Sequence, residues 1–245
     1  MKFQYILIIV LWTSIGFARN PSGDEILRQV DAKMTARTKI IVSEMIVHGR
    51  RGSRTIKSKS WVQGVEKSFT EYLSPAREKG TKMLKLGKQL WMYSPQADRI
   101  IRIAGHMLRQ SLMGSDLSYE DMMEDPHLNH IYAAKVIGQE NVADRPCWIL
   151  QLTATTSTAA YHTRKIWVDK QRMIILREYR FAKSGKLLKT TDVLTVAKMD
   201  GRWYPEKVVF KDQLRKGKGT EFIVESIKFN SSIPAYLFSK AALRK

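Results

Sequence analysis

The chain has 245 residues, 44% of them hydrophobic, which is long enough to bury a full core in one generous domain. Its 42 Lys and Arg against 23 Asp and Glu leave a net charge of +19, so anionic partners are favoured: nucleic acid, phospholipid headgroups or an acidic protein face. A lone cysteine, Cys147, excludes an internal disulfide and any cysteine-based metal cluster, and its expected role is that of a small buried hydrophobe.

The N-terminus narrows the choice of partner. Met1-Lys2 is followed by an apolar run from Tyr5 to Phe17, and Gly16-Phe17-Ala18 sets small residues at the two positions a signal peptidase reads. This predicts a signal peptide over residues 1–18, cleaved after Ala18, with a mature chain of 19–245. The apolar run, about 13 residues at ~1.5 Å each, is too short to span a hydrocarbon core of about 30 Å. No cysteine lies near the cleavage point, so no lipid anchor is expected there. Export disfavours nucleic acid and brings anionic lipid to the front.

The mature chain opens with a helix. Ser22 and Glu25 have the spacing of a capping box, and Ile26, Val30 and Met34 recur at intervals of four, leaving one narrow apolar stripe. From Thr38 the period changes to that of strands, and turn signals at Arg50-Arg51-Gly52-Ser53, Gln63-Gly64, Glu78-Lys79-Gly80 and Gly87-Lys88 divide a meander. Between about 98 and 125 the pattern changes again. Ile101, Met107, Leu108, Leu112 and Met113 have the spacing of a short amphipathic helix, Gly114 stops it, and Ser118 with Asp121 forms a second capping box that starts another. Either this is two helix ends joined by a tight turn, or it is a mobile, Met-rich lid. After Pro126 the strand pattern resumes to Phe229, with turns such as Lys183-Ser184-Gly185-Lys186 and Asp200-Gly201. The reading is mainly β with some helix (α+β): about ten or eleven antiparallel, barrel-like strands, an N-terminal helix and the helical insert.

Catalytic motifs are missing from the sequence. It has no G-x-S-x-G elbow, phosphate-binding Gly-rich loop, H-E-x-x-H or paired cysteines, so a non-enzymatic role without cofactor is expected. His127 and His130, beside Asp125, Glu124 and Asp121, approach metal-ligand spacing, but a solvated polar loop accounts for them, and no metal is expected. Asp116, Glu120 and Asp121 sit at a helix start, where the macrodipole favours anions, which explains them without catalysis.

What remains is apolar bulk. Trp61, Phe69, Leu84, Trp91, Trp148 and Leu150 exceed what a thin sandwich layer needs, though a large ordinary core would absorb them. Met107, Leu108, Leu112, Met113, Leu117 and Met122 gather in the insert, and thioethers repack readily around ligands of variable shape. These twelve residues are the candidate lining of an acyl-chain pocket, with Lys and Arg at its rim for headgroup phosphates. Gly114, Ser115, Asp116, Ser118, Tyr119 and Asp121 are the candidate lid motif and hinge.

The segments Phe69-Thr70-Glu71-Tyr72-Leu73-Ser74-Pro75, Trp91-Met92-Tyr93-Ser94-Pro95, Met113-Gly114-Ser115-Asp116-Leu117-Ser118-Tyr119-Glu120-Asp121 and Asp200-Gly201-Arg202-Trp203-Tyr204-Pro205 resemble the outer-membrane lipoprotein-sorting family of LolA-like periplasmic proteins. The resemblance extends over nearly all of the mature chain. It implies an incomplete antiparallel β-barrel whose hydrophobic face is covered by helices and carries lipid or lipoprotein acyl chains across the periplasm, with no catalytic residues. No carrier arginine of that family maps onto a position here, and an inner-membrane lipid or lipoprotein exporter is a further partner the resemblance implies. An accessory module that docks on such an exporter, or on anionic membrane, is the alternative.

Overall fold

Ser22 fixes where the first helix begins. Its hydroxyl accepts from the Glu25 backbone N–H while the Glu25 carboxylate accepts from the Ser22 N–H at 2.6 Å, completing the expected box at the head of α1 (Gly23–Met34). The computed structural model describes residues 20–49, 52–157 and 159–245, so the expected signal peptide and cleavage point lie outside the described residues. Among the described residues no helix is long and apolar enough to cross a membrane.

Thirteen strands follow α1: β1 (Thr38–Gly49), β2 (Gly52–Gln63), β3 (Lys67–Ser74), β4 (Lys82–Leu86), β5 (Gln89–Ser94), β6 (Arg99–Ile103), β7 (Tyr132–Val142), β8 (Arg145–Ala154), β9 (Thr163–Asp169), β10 (Ile175–Phe181), β11 (Leu187–Met199), β12 (Arg202–Asp212) and β13 (Thr220–Phe229). They form one antiparallel sheet in the order β6-β5-β4-β3-β2-β1-β13-β12-β11-β10-β9-β8-β7. The open, incomplete barrel is as expected, with thirteen strands in place of about ten or eleven. One extra strand is β6, within a stretch whose apolar spacing suggested a helix. Ile101 and Ile103 instead alternate at period two and pair with Met92 and Leu90 of β5. The helical content that follows is short: 3₁₀ turns at Gly105–Arg109 and Leu112–Gly114, then α2 (Tyr119–Met123).

The two edge strands, β6 and β7, are consecutive in sequence. Residues 104–131 therefore run from one edge of the sheet to the other.

Alternation of side chains gives the sheet two faces, and register identifies them. Ile166 lies opposite Glu178, which lies opposite Thr191, then Phe210, then Thr220; from Phe222 the same face continues through Met45 to Ile56. This inner face carries both helices. At one end α1 buries Ile26, Leu27 and Val30 against Leu150, Leu152, Ile166 and Val168, all at most 1% exposed. At the other end the insert packs on Met45, Ile56, Tyr72, Met83, Leu90 and Ile103. On the outer face Trp61, Phe69, Leu84 and Trp91 stand in register and are covered by two C-terminal 3₁₀ turns through Leu237, Ala242 and Leu243.

Candidate functional site

The insert is fastened to the sheet before it reaches α2. Arg54 of β2 donates to the Met113 carbonyl at 2.5 Å and pairs with Glu78 at 3.0 Å, and Arg215 donates to the carbonyls of Gly114, at 3.0 Å, and Ser115. Asp116, 9% exposed, accepts from the Asp212 N–H at 3.0 Å and the Thr220 hydroxyl at 2.7 Å. Met113 and Gly114 take the positive φ values of 49° and 76° that reverse the chain here. Ser118 then caps α2, its hydroxyl accepting from the Asp121 N–H while the Asp121 carboxylate accepts from the Ser118 N–H at 2.7 Å. The capping box predicted from spacing is present.

Between α2 and the sheet lies a cavity of about 520 Å³, within the range of about 300 to 1,000 Å³ usual for small-molecule sites. Leu112, Leu117, Met122 and Pro126 line it from the insert, and Met45, Ile56, Tyr72, Tyr204, Phe210 and Phe222 from the sheet. The space exists because small hydroxyl residues stand where large ones would fill it. Ser43, Ser58, Ser60 and Thr70 point inward from β1, β2 and β3 and satisfy one another, with Ser43 to Ser58 at 3.2 Å and Ser60 to Thr70 at 2.8 Å. The phenol of Tyr204, also in the wall, is pushed up to about 12 by burial.

A buried ionic cluster closes one side. Asp121 of α2 accepts from Arg180 at 3.1 Å, from the Tyr161 hydroxyl at 2.7 Å and from Lys189. Next to it Glu124 pairs with Arg164, which also donates to Glu178 at 2.7 Å, while Arg180 donates to Glu178 at 2.8 Å. The Arg164 guanidinium stacks over the Tyr132 and Tyr161 rings at 4.8 and 5.4 Å. Burial alone would push the Asp121 carboxyl up, but Arg180 and Lys189 outweigh it and hold it at about 2. Glu178 is likewise opposed by burial and held at about 2 by Arg180 and Arg164. Burial works most strongly against the charges of Arg164 and Arg180, and the neighbouring carboxylates together outweigh it, Glu178 with Glu124 for Arg164 and Glu178 with Asp121 for Arg180, raising both. The insert is thus pinned by charge on the β9–β11 side and by carbonyl clamps on the other.

The expected lining residues separate into three groups. Leu112, Leu117 and Met122 line the cavity, and Met107, Leu108 and Met113 pack in the adjoining cluster with Tyr119, whose hydroxyl approaches the Met92 sulfur at 3.7 Å. Trp61, Phe69, Leu84 and Trp91 do not line it: strand parity puts them on the outer face, under the C-terminal turns. Trp148 and Leu150 are on the inner face but beneath α1, where Leu150 is fully buried. The inward hydroxyls and the Arg164, Glu178, Arg180, Lys189 and Tyr161 cluster were not anticipated. Their signal was present as Ser58 and Ser60 alternating with Lys57, Lys59 and Trp61, and as Glu178 and Arg180 flanking Tyr179 within a strand.

Just beyond α2, Asp125 accepts from the His127 ring at 3.0 Å and faces the His130 ring at 3.4 Å, with the two imidazoles stacked 4.9 Å apart. Among the described residues this is the one group of at least three His, Cys, Asp or Glu whose ligand atoms converge, all lying within 4.8 Å of one another.

The sheet, α1 and the insert define a LolA-like half-barrel, and solved structures share it. A domain named for outer membrane lipoprotein sorting, from Vibrio parahaemolyticus, superposes with a TM-score of 0.78 at 22% identity, covering 91% of this chain and 98% of that one. A DUF1329 family protein from Desulfovibrio piger gives 0.82 at 23% identity, covering 90% and 97%. A LolA superfamily protein from Nitrosomonas europaea gives 0.74 at 20% identity, covering 91% and 100%. Comparison with curated proteins found no match. The chain belongs to the family whose model, described as "Uncharacterized protein", matches residues 64–245.

Proposed function

We propose that the protein is a periplasmic, non-enzymatic carrier that holds lipid, or the acyl chains of lipoproteins, in the inner-face cavity on the way to the outer membrane. The cavity under α2 is the observation that supports this reading: its walls are mainly apolar, and its cover is built from Leu112, Leu117 and Met122. The cover meets the sheet through Met107, Met113 and Met123, which repack at low cost around chains of different shape. Export by the N-terminal signal brings the chain to the compartment where such cargo moves. The exposed basic surface suits anionic membranes at either end of the route.

Mass spectrometry of protein prepared without detergent tests the carrier reading. Copurified lipid or acylated peptide, lost when Leu117 is replaced by Asp, is the expected result. A preparation free of lipid that also fails to take up a fluorescent fatty acid would overturn it. Docking on an exporter or on anionic membrane has its own observation: the turn after β12 presents Leu214, 62% exposed, beside the exposed Lys216 and Lys218. Vesicle binding that needs anionic lipid, survives with the cavity blocked and weakens as the Debye length falls from about 30 Å to about 8 Å would favour that role.

A further inference from the structure

We propose that Arg164, Arg180 and Lys189 form a receptor for the anionic headgroup, phosphate or carboxylate, of an amphiphile whose chain fills the cavity. Asp121 and Glu124 of the lid segment occupy that receptor until cargo takes their place. The inference rests on the carrier reading and specifies the chemistry of its cargo.

The charge count of the cluster depends on the lid. With α2 seated, the three cations meet three carboxylates: Asp121, Glu124 and Glu178. Glu178 belongs to β10 and remains with the sheet, whereas Asp121 and Glu124 leave if α2 lifts. With α2 seated the side chains are only 2% exposed at Arg164, 11% at Arg180 and 13% at Lys189, and once it lifts these three cations face one carboxylate. Three clustered cations repel one another once Asp121 and Glu124 no longer offset them, so an anion is favoured in the vacated place. An apolar seam would hold the lid as well as buried ion pairs do; a charged one can be exchanged for a ligand of the same charge.

The cluster holds more buried donors than its three carboxylates satisfy. Arg180 Nη1, the Tyr161 hydroxyl and Lys189 Nζ already converge on its carboxylate. Among the described residues, Arg180 Nε and Arg164 Nε are buried and have no hydrogen-bond partner. An anion entering the cluster would offer acceptor oxygens to donors that Asp121, Glu124 and Glu178 leave unpaired. Position fits as well. Arg180 lines the apolar cavity, and Lys189 lines a second cleft of about 610 Å³ beside the lid, with Ser118 and Tyr161. Asp121 bonds to a wall residue of each, so an anion in its place would sit at the head of a chain lying in the cavity.

The test compares a fluorescent dodecanoic acid with its methyl ester on the full mature protein, with inorganic phosphate as competitor. The wild type should bind the acid at least tenfold more tightly than the ester. Arg180→Gln should abolish that preference while ester binding persists, and Asp121→Asn, which removes the competing charge, should tighten the acid more than the ester. Lys189→Gln, at the more exposed edge, makes the same comparison should Arg180→Gln fail to fold. Equal affinity for acid and ester in the wild type would overturn the headgroup receptor and leave the carrier reading standing. So would an unchanged preference in a folded variant. Displacement of the acid by phosphate as effectively as by unlabelled dodecanoic acid would assign the site to a free anion and overturn the headgroup assignment. Failure of both probes to bind would sink the carrier reading itself.

Discussion

The two ends of the inner face are covered by helices in opposite ways. Beneath α1 the packing is dry: twelve helical residues with a full capping box lay a stripe of Ile26, Leu27 and Val30 onto four aliphatic side chains of β8 and β9. Gly23 lets the helix touch down, since a Cβ there would meet the Ala134 carbonyl oxygen at 2.3 Å. At the other end α2, a helix of five residues, is held by ion pairs, the turn before it by clamped carbonyls, and the sheet below carries serines and a threonine in place of aliphatic residues. A closed core and an open cavity can therefore share one sheet face. The difference lies in side-chain volume beneath the cover and in whether apolar packing or ion pairs fasten it.

Leu150→Ala gives the largest expected effect and probes the dry end. A fully buried leucine replaced there should cost about 2 to 5 kcal/mol, because the cavity left under α1 collapses only partly. Thermal melts should fall by several degrees while a protein still folded at assay temperature keeps its fatty-acid affinity. A normal melt with lost binding would mean that Leu150 serves the ligand and that the two ends are not distinct.

Acid should separate the ends next. The Asp121 carboxyl lies at about 2 when folded against an ordinary 3.8, so more protons bind to the unfolded chain between those values. Its contribution, about 2 kcal/mol at ~1.36 kcal/mol per unit, is full above about pH 4 and is lost as pH falls through 2. Glu178 shifts in the same direction, so Asp121→Asn should flatten the acid slope of stability without abolishing it. Identical slopes in wild type and variant between pH 4 and 2 would show that the latch adds nothing to stability.

The same contrast decides what sequence alone can reveal. The α1 end was legible because its signals are local: Ser22 to Glu25 spans three residues and the apolar stripe repeats every four. The Ser118 to Asp121 box was legible for the same reason, and so was the insert's interruption of the strand pattern. The latch was not, since Asp121 meets residues 40, 59 and 68 positions away, and nothing near it in sequence names Tyr161, Arg180 or Lys189. Aromatic bulk misled because composition does not say which face a strand residue occupies. Trp61, Phe69, Leu84 and Trp91 share a face only through register, and it is the face covered by the C-terminal turns.

Leu117→Asp acts on the ligand rather than the fold. Leu117 is half-buried at the cavity wall, so a carboxylate there can reach water when the cavity is empty but must be desolvated when a chain fills it. Acyl binding should fall at least tenfold, about 1.4 kcal/mol, with a melt close to that of the wild type. A collapsed melt would make the lid end as much closed core as the α1 end.

The smallest expected effect belongs to Met122→Leu, and it tests whether softness at the lid end serves the ligand. The two side chains have similar volumes, so the change should cost well under ~1.5 kcal/mol, and the melt should scarcely move. What leucine lacks is the unbranched, three-bond thioether that adapts to an irregular neighbour. If methionine at the cavity wall lets the lid close over chains of different length, the wild type should bind fatty acids of ten to sixteen carbons with a shallow dependence on length. The leucine variant should then show a sharper optimum. Met173→Leu supplies the control, because Met173 packs against the dry cluster under α1 and should leave the length profile unchanged. Parallel profiles for wild type and both variants would show that the methionines of the lid pack as ordinary core, and that only the serines below and the charges beside it set this end apart.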